Sequence, residues 1–287
     1  MRIESFFHEA TSTLTYLVSD KETRDALVID AVLDYDAQES VVSTDSVDAL
    51  AARIREQGLR LLYILDTHVH ADHMTGSDAL KNHFPDTRFA IGARITDVQQ
   101  LFGQVFALED SFAPDGHQFD QLLADGETIK AGSLAVEVMH TPGHTPACAS
   151  YKIEDAVFTG DALFMPDFGT GRCDFPAGSA EMLYESINRL YQLPDETRVF
   201  VGHDYQPGGR ELEYETTIGK SKRSNKHVRT DTSREEFVSF RRERDATLKA
   251  PKLLFPSLQV NIRAGALPAA DKEGRRFLKV PLRSKQG

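Results

Sequence analysis

Cysteine is scarce in this chain: Cys148 and Cys173 are the only two among 287 residues. That excludes a disulfide framework and makes a reducing cytoplasm the expected compartment. Long hydrophobic runs are also missing. No apolar stretch approaches the roughly 18 residues of a membrane span. The start, Met1-Arg2-Ile3-Glu4-Ser5-Phe6-Phe7, lacks the charged-then-apolar layout of a signal peptide. No internal repeat, low-complexity tract or Gly/Ser linker is found. Positive charge is in deficit, with 33 Lys and Arg against 44 Asp and Glu, a net charge of −11. That balance disfavours non-specific nucleic-acid binding. The expected partners are small molecules, with neither nucleic acid nor membrane.

A hydrophobic content of 40% and a charged content of 27% suit a globular protein large enough for one big domain, or a domain with an extension. The charge is uneven. Residues 206–287 hold 19 Lys and Arg against 10 Asp and Glu, which leaves −20 for the rest. The C-terminal third is a candidate surface for an anionic small molecule; a solvated basic face is the plainer alternative.

The apolar pattern predicts strands near 13–19 and 25–30, then a polar loop over 34–46. Ser46 is the expected cap of a helix over 47–57 that Gly58 ends. A strand at 61–65 follows, then helix 76–84, strand 88–91 and helix 94–105. The middle reads as strands at 127–131, 134–139, 147–153 and 156–159, helix 178–192 and strand 197–201. Beyond about 206 the pattern turns helical and basic. Ser233 and Glu236 mark a capping box for a helix at 233–247. Residues 264–287 are the least legible and are expected to be partly extended.

Four of these strands end in metal-capable residues. Strand 61–65 runs into Thr67-His68-Val69-His70-Ala71-Asp72-His73. Strand 134–139 leads into His140-Thr141-Pro142-Gly143-His144-Thr145, strand 156–159 into Gly160-Asp161, and strand 197–201 into Gly202-His203-Asp204-Tyr205. Open α/β sheets bind ligands at such an edge. If the strands lie side by side, His68, His70, His144 and Asp161, with Asp72, His73 and His203, suffice for one or two first-row ions, Zn²⁺ or Fe²⁺. A lone histidine is usually a surface or core residue, and His8, His83 and His117 are read that way. Four independent strand ends leave little room for that reading of the ensemble.

His68-Val69-His70-Ala71-Asp72-His73, Thr141-Pro142-Gly143-His144-Thr145, Gly160-Asp161 and Gly202-His203 resemble the signature of the metallo-β-lactamase superfamily over roughly residues 10–205. The resemblance implies an α/β fold, an αββα sandwich of two mixed β-sheets flanked by helices. It divides the chain into a metal-bearing core, 1–205, and a basic, largely helical extension, 206–287, that packs on it and completes the substrate site. Thr67 to Gly76, Thr159-Gly160-Asp161-Ala162-Leu163, Gly169-Thr170-Gly171-Arg172-Cys173-Asp174-Phe175 and Gly202-His203-Asp204-Tyr205 are most similar to the persulfide dioxygenases, the ethylmalonic-encephalopathy protein group related to glyoxalase II.

That likeness implies one Fe(II) held by His68, His144 and Asp161, with glutathione persulfide and O₂ as substrates. A sulfurtransferase partner and a monomer or homodimer are compatible with it. His70, Asp72, His73 and His203 then surround the iron, or bind a second ion in a Zn or mixed dinuclear hydrolase of the glyoxalase II type. Arg172 matches a functionally important family arginine, with an ion pair to Asp174 as the alternative. Tyr205 matches a tyrosine that contacts glutathione. Lys222, Arg223 and His227 lie in a plausible lid, Lys220 to His227, although Asn225-Lys226-His227 departs from the Asn-Pro-Arg of better-known relatives. Cys148 reads as an inert core residue. Cys173, beside Arg172, reads as a small buried residue or a persulfide acceptor with a favoured thiolate. A non-enzymatic metal-binding or sulfide-sensing role has no need of open coordination positions beside an arginine.

Overall fold

The computed structural model describes residues 1–109 and 112–282. Strands β1 (Arg2–His8), β2 (Thr13–Ser19) and β3 (Asp25–Ile29) form an antiparallel meander. Period-two alternation sorts their side chains: Leu14, Tyr16 and Val18 enter one apolar cluster and Leu17 the other. The expected polar loop over 34–46 is largely a hairpin, β4 (Val32–Asp36) and β5 (Val41–Ser43). Its polar tip hides the strands from a reading based on apolar alternation.

Helix α1 (Asp45–Glu56) buries Val47, Leu50, Ala51 and Ile54, the face its spacing predicts. Its cap position is Thr44 rather than Ser46. Ser46 is otherwise engaged, donating its N–H and Oγ to the Asp34 carboxylate at 2.8 and 2.7 Å. The first half continues through β6 (Arg60–Asp66), β7 (Met74–Thr75), α2 (Ser77–His83), β8 (Arg88–Gly92), α3 (Ile95–Val105) and β9 (Gln121–Leu123).

The second half contains β10 (Thr128–Ala131), β11 (Leu134–His140), β12 (Ala149–Ile153), β13 (Ala156–Phe158), α4 (Ala180–Leu190), β14 (Arg198–Phe200) and β15 (Glu215–Thr217). Helices α5 (Ile218–Ser224), α6 (Arg234–Asp245) and α7 (Leu254–Asn261) follow. Ser233 Oγ accepts the Glu236 N–H at 3.2 Å, the capping contact expected for α6. Residues 264–282 form no helix or strand, and 283–287 lie outside the described residues.

One six-stranded sheet has the order β1-β2-β3-β6-β8-β9, and the other runs consecutively from β10 to β15. The larger part of the core lies between them, where the Tyr16 ring meets Phe158 and Phe200 edge-on at 5.2 and 5.5 Å. Helices α1, α2, α3 and α7 cover the outer face of the first sheet through Leu50, Leu80, Val98 and Leu258. Helix α4 contributes Leu183, Ile187 and Leu190 to the second sheet's side. The architecture is the αββα sandwich expected from the sequence. β15 lies beyond residue 205 yet pairs with β14, and Ile218 and Phe237 of the extension are fully buried. Among the described residues, no helix is long and apolar enough to cross a membrane.

Candidate metal centre

The four strand ends meet. β11 and β13 each run antiparallel to β12, and β14 runs parallel to β13, so all three end at one edge of their sheet. The end of β6 is sewn to that edge. The Ala149 N–H donates to Thr67 O at 2.8 Å, and the Tyr151 hydroxyl donates to Asp66 O at 2.7 Å. Gly160 turns the chain at φ +48, where a Cβ would stand 2.5 Å from Thr67 Oγ1. Glycine there permits both the left-handed turn and the close approach.

His68, His144 and Asp161 each offer a ligand atom, all within 4.8 Å of one another. Asp161 Oδ2 lies 3.5 Å from His144 Nε2 and 4.0 Å from His68 Nε2. His70, Asp72 and His73 form a second such group. His203 Nε2 sits between the two, 3.4 Å from Asp161 Oδ1 and 3.3 Å from Asp72 Oδ2. Nε2 of His68, His73 and His203, Nδ1 of His70, and one oxygen each of Asp72 and Asp161 are buried without a hydrogen-bond partner. Buried polar atoms are normally paired. Six orphans gathered in two adjoining groups fit bound cations, and imidazole with carboxylate suits iron or zinc.

The opposite ring nitrogens are fixed. Nδ1 of His144 donates to Arg172 O at 2.7 Å, Nδ1 of His203 to Ser12 O at 3.1 Å and Nδ1 of His73 to Met74 O at 3.1 Å. A carbonyl can only accept, so each neutral ring keeps its Nε2 lone pair free for an ion. Burial and the neighbouring imidazoles hold His68 well below its ordinary pKa, and burial takes His73 down to about 3. His70 differs. Burial opposes its charge, but the carboxylate of Asp30, 3.1 Å from Nε2, outweighs that and raises its pKa to about 9.

Asn261, at the end of α7, is a residue that sequence reasoning missed. Its buried side-chain amide donates to His70 O at 2.8 Å and His73 O at 2.9 Å, and its oxygen accepts the Thr75 N–H at 2.8 Å. One side chain from the extension thus fastens the whole histidine loop.

The centre opens into a cavity of about 900 Å³ whose lining includes Asp72, His73, His144, Asp161, Arg172 and Tyr205. Arg172 is doubly bonded to Asp174, at 2.5 and 2.6 Å, and donates to Lys249 O at 2.7 Å, so the ion-pair alternative is realised beside the cavity. Tyr205 is exposed, with its ring stacked on His203 at 5.4 Å and close to Phe168 at 4.7 Å. His227 lines the cavity and accepts the Thr170 N–H on Nδ1 at 3.1 Å.

Lys222 and Arg223 do not reach the site, which corrects their assignment as substrate contacts. Both turn to Asp195, at 2.7 and 3.7 Å, away from the cavity lining. Cys173 takes the first of its two readings, a small buried residue. It is buried and burial pushes its thiol well up, so the thiolate is not favoured despite Arg172. Cys148 is buried too, with its pKa raised to about 12. His83 pairs with Asp48 at 2.8 Å and exposed His117 with Asp115 at 2.5 Å. His8 lines the cavity, though its ring is engaged by Thr11 at 2.7 Å and Asp34 at 3.3 Å.

Fold and centre together define a metal-dependent enzyme built on an αββα sandwich. The chain belongs to the metallo-β-lactamase superfamily, whose pattern matches residues 9–203. It is 46% identical to a probable metallo-hydrolase of Burkholderia pseudomallei, over 98% of this chain and 99% of the relative. It is 35% identical to the mitochondrial persulfide dioxygenase ETHE1 of Homo sapiens, over 71% of this chain and 68% of that protein. The crystal structure of ETHE1 from Myxococcus xanthus superposes with a TM-score of 0.74 at 34% identity, covering 93% of this chain and all of the other.

Proposed function

We propose that the chain is a glutathione-dependent persulfide dioxygenase with one Fe(II), converting glutathione persulfide, O₂ and water to glutathione and sulfite. The observation that carries this reading is the compact group of His68, His144 and Asp161 at the floor of a cavity walled by Arg172 and Tyr205. Two imidazoles and one carboxylate are the facial set that leaves several coordination positions vacant. Similarity to the human and Myxococcus proteins supports the choice of reaction.

When bound, ferrous iron supplies the redox chemistry that joins dioxygen to the outer sulfur. The chain's own residues position and shield. The Arg172 O to His144 hydrogen bond orients that imidazole, and Tyr151 and Thr67 lock the strand end that bears His68. Phe164 and Phe168 give the cavity wall an apolar face that limits water beside the reacting sulfur. Arg172, already neutralised by Asp174, offers its remaining edge to a carboxylate of the tripeptide.

A second reading, a dinuclear hydrolase of glutathione thioesters, is favoured by the orphaned atoms of His70, Asp72, His73 and His203. Asp30 accepts a hydrogen bond from Nε2 of His70 and leaves its Nδ1 free for an ion, so this contact is compatible with either reading. Anaerobic metal analysis and an oxygen electrode decide between them. About one iron per chain and O₂ uptake with glutathione persulfide are expected; two metals and cleavage of S-lactoylglutathione without O₂ uptake would refute the dioxygenase.

A further inference from the structure

The cavity carries a second cluster of reactive groups, contributed by the first strands of the chain. β1 ends at His8 and β2 begins at Thr13, and these two residues pair in register, so the turn between the strands brings Thr11 beside the His8 ring. His8 Nδ1 lies 2.7 Å from Thr11 Oγ1. At the other end of the ring, Nε2 faces Asp34 Oδ1 of β4 at 3.3 Å. Hydroxyl, imidazole and carboxylate thus stand in a row, and all three residues line the cavity. A hydroxyl within hydrogen-bond reach of a base that a third group orients is the arrangement of an activated nucleophile.

The surrounding bonds give each proton a direction. Asp34 accepts the Ser46 N–H at 2.8 Å and the Ser46 hydroxyl at 2.7 Å, which hold its carboxylate in place. The carboxylate favours the ring proton on Nε2 and leaves Nδ1 as an acceptor. Thr11 therefore donates to Nδ1, and its oxygen accepts from Thr13 Oγ1 at 2.8 Å. That donor stabilises negative charge on Thr11 Oγ1 as its proton leaves. Ser12, the next residue, holds a left-handed φ of +56, which residues other than glycine seldom adopt. Its carbonyl accepts the Asp204 N–H and His203 Nδ1–H, each at 3.1 Å, and these bonds sustain the sharp bend. The N–H groups of Ala10 and Thr11 have no acceptor among the described residues, so the same turn holds two unspent backbone donors for an oxyanion.

We propose that Thr11, His8 and Asp34 form a metal-independent acyl-transfer site for esters and thioesters of short apolar acids. Leu33 and Tyr35 flank Asp34 in β4, and with Val41 of β5 they give the cavity an apolar surface for the acyl chain. Thr11 Oγ1 attacks the acyl carbon, and the new C–O bond replaces the bond to the leaving oxygen or sulfur. The hydroxyl proton passes to His8 Nδ1 and from there to the leaving group. Water, deprotonated by the same imidazole, then cleaves the acyl-threonine, releasing the acid and restoring the hydroxyl; nothing is oxidised or reduced. This activity goes beyond the dioxygenase reading and does not depend on it.

The test is run on full-length protein stripped of metal with a chelator, so that hydrolysis at the metal centre does not contribute. p-Nitrophenyl butyrate is added, release of p-nitrophenol is followed, and the acylated residue is mapped by peptide mass spectrometry. A burst of about one p-nitrophenol per chain, with the butyryl group on Thr11, is expected. Thr11→Val, which is close in shape, is expected to lose both, and Thr11→Ser to keep them. His8→Gln is expected to slow acylation about 100-fold. Asp34→Asn leaves hydroxyl and ring in place and is expected to lower the maximal rate about ten-fold at an unchanged half-saturating ester concentration. No butyryl group on Thr11 would overturn the site, as would equal acylation of Thr11 in His8→Gln. Ester cleavage that appears only when metal is restored would also overturn it, because it belongs to the metal centre. O₂ uptake with glutathione persulfide is measured separately on the metal-loaded protein, and its absence would remove the dioxygenase reading alone.

Discussion

At the residue scale, the centre is controlled by which nitrogen and which oxygen are already engaged. Asp161 faces three imidazoles, His68, His144 and His203, so it is the side chain whose loss does most damage. Asp161→Ala is expected to retain less than about a tenth of the wild-type metal after dialysis, with a near-normal circular dichroism spectrum. Full metal occupancy in that variant would sink the assignment. His70 and Asp66 give the metal-free protein a pH dependence. Burial holds Asp66 up to about 7, and Asp30 lifts His70 to about 9. Both folded values lie above the unfolded ones, so the native state binds the extra protons. The stability His70 contributes is fully present below about pH 6.5 and is lost as pH rises through about 9; Asp66 adds to the loss from lower pH. Urea melts of metal-free protein at about pH 6 and about pH 9 read this, and the alkaline midpoint is expected to be lower. Equal midpoints would contradict it.

At the scale of elements, what was legible in the sequence is what local pattern encodes. The run Leu61-Leu62-Tyr63-Ile64-Leu65 is buried or nearly so along β6, and its end is marked by the first histidine. The α6 cap was visible because Ser233 and Glu236 are three residues apart. Asn261 left no such signal. Its partners His70 and His73 are 191 and 188 residues away, and α7 carries Pro256 in its first turn and no side-chain cap. Lys222 and Arg223 failed for the complementary reason: composition gave their charge but not the direction of a helix whose basic face meets Asp195. Asn261→Ala leaves two buried carbonyls and one N–H unpaired, at a cost of about 2–4 kcal/mol. Metal affinity, measured by chelator competition, is expected to fall about 10- to 100-fold. Unchanged affinity with lowered stability would make Asn261 a packing residue alone.

At the scale of the whole molecule, the two sheets and the extension share one interior. β15 pairs with β14, Ile218 and Phe237 are fully buried, and Leu258 lies under the first sheet. A chain cut after residue 205 is therefore expected to lose near-ultraviolet circular dichroism and to bind a hydrophobic dye; a sharp native melt of that fragment would refute this. The contact between Asn261 and the histidine loop has a further consequence, one of timing. On the ribosome, His68 to His73 emerge early, and their fastening emerges nearly two hundred residues later. Until then the loop that carries those ligands lacks the three hydrogen bonds by which Asn261 fastens it, and a growing chain is expected to hold a metal ion less firmly than the finished fold.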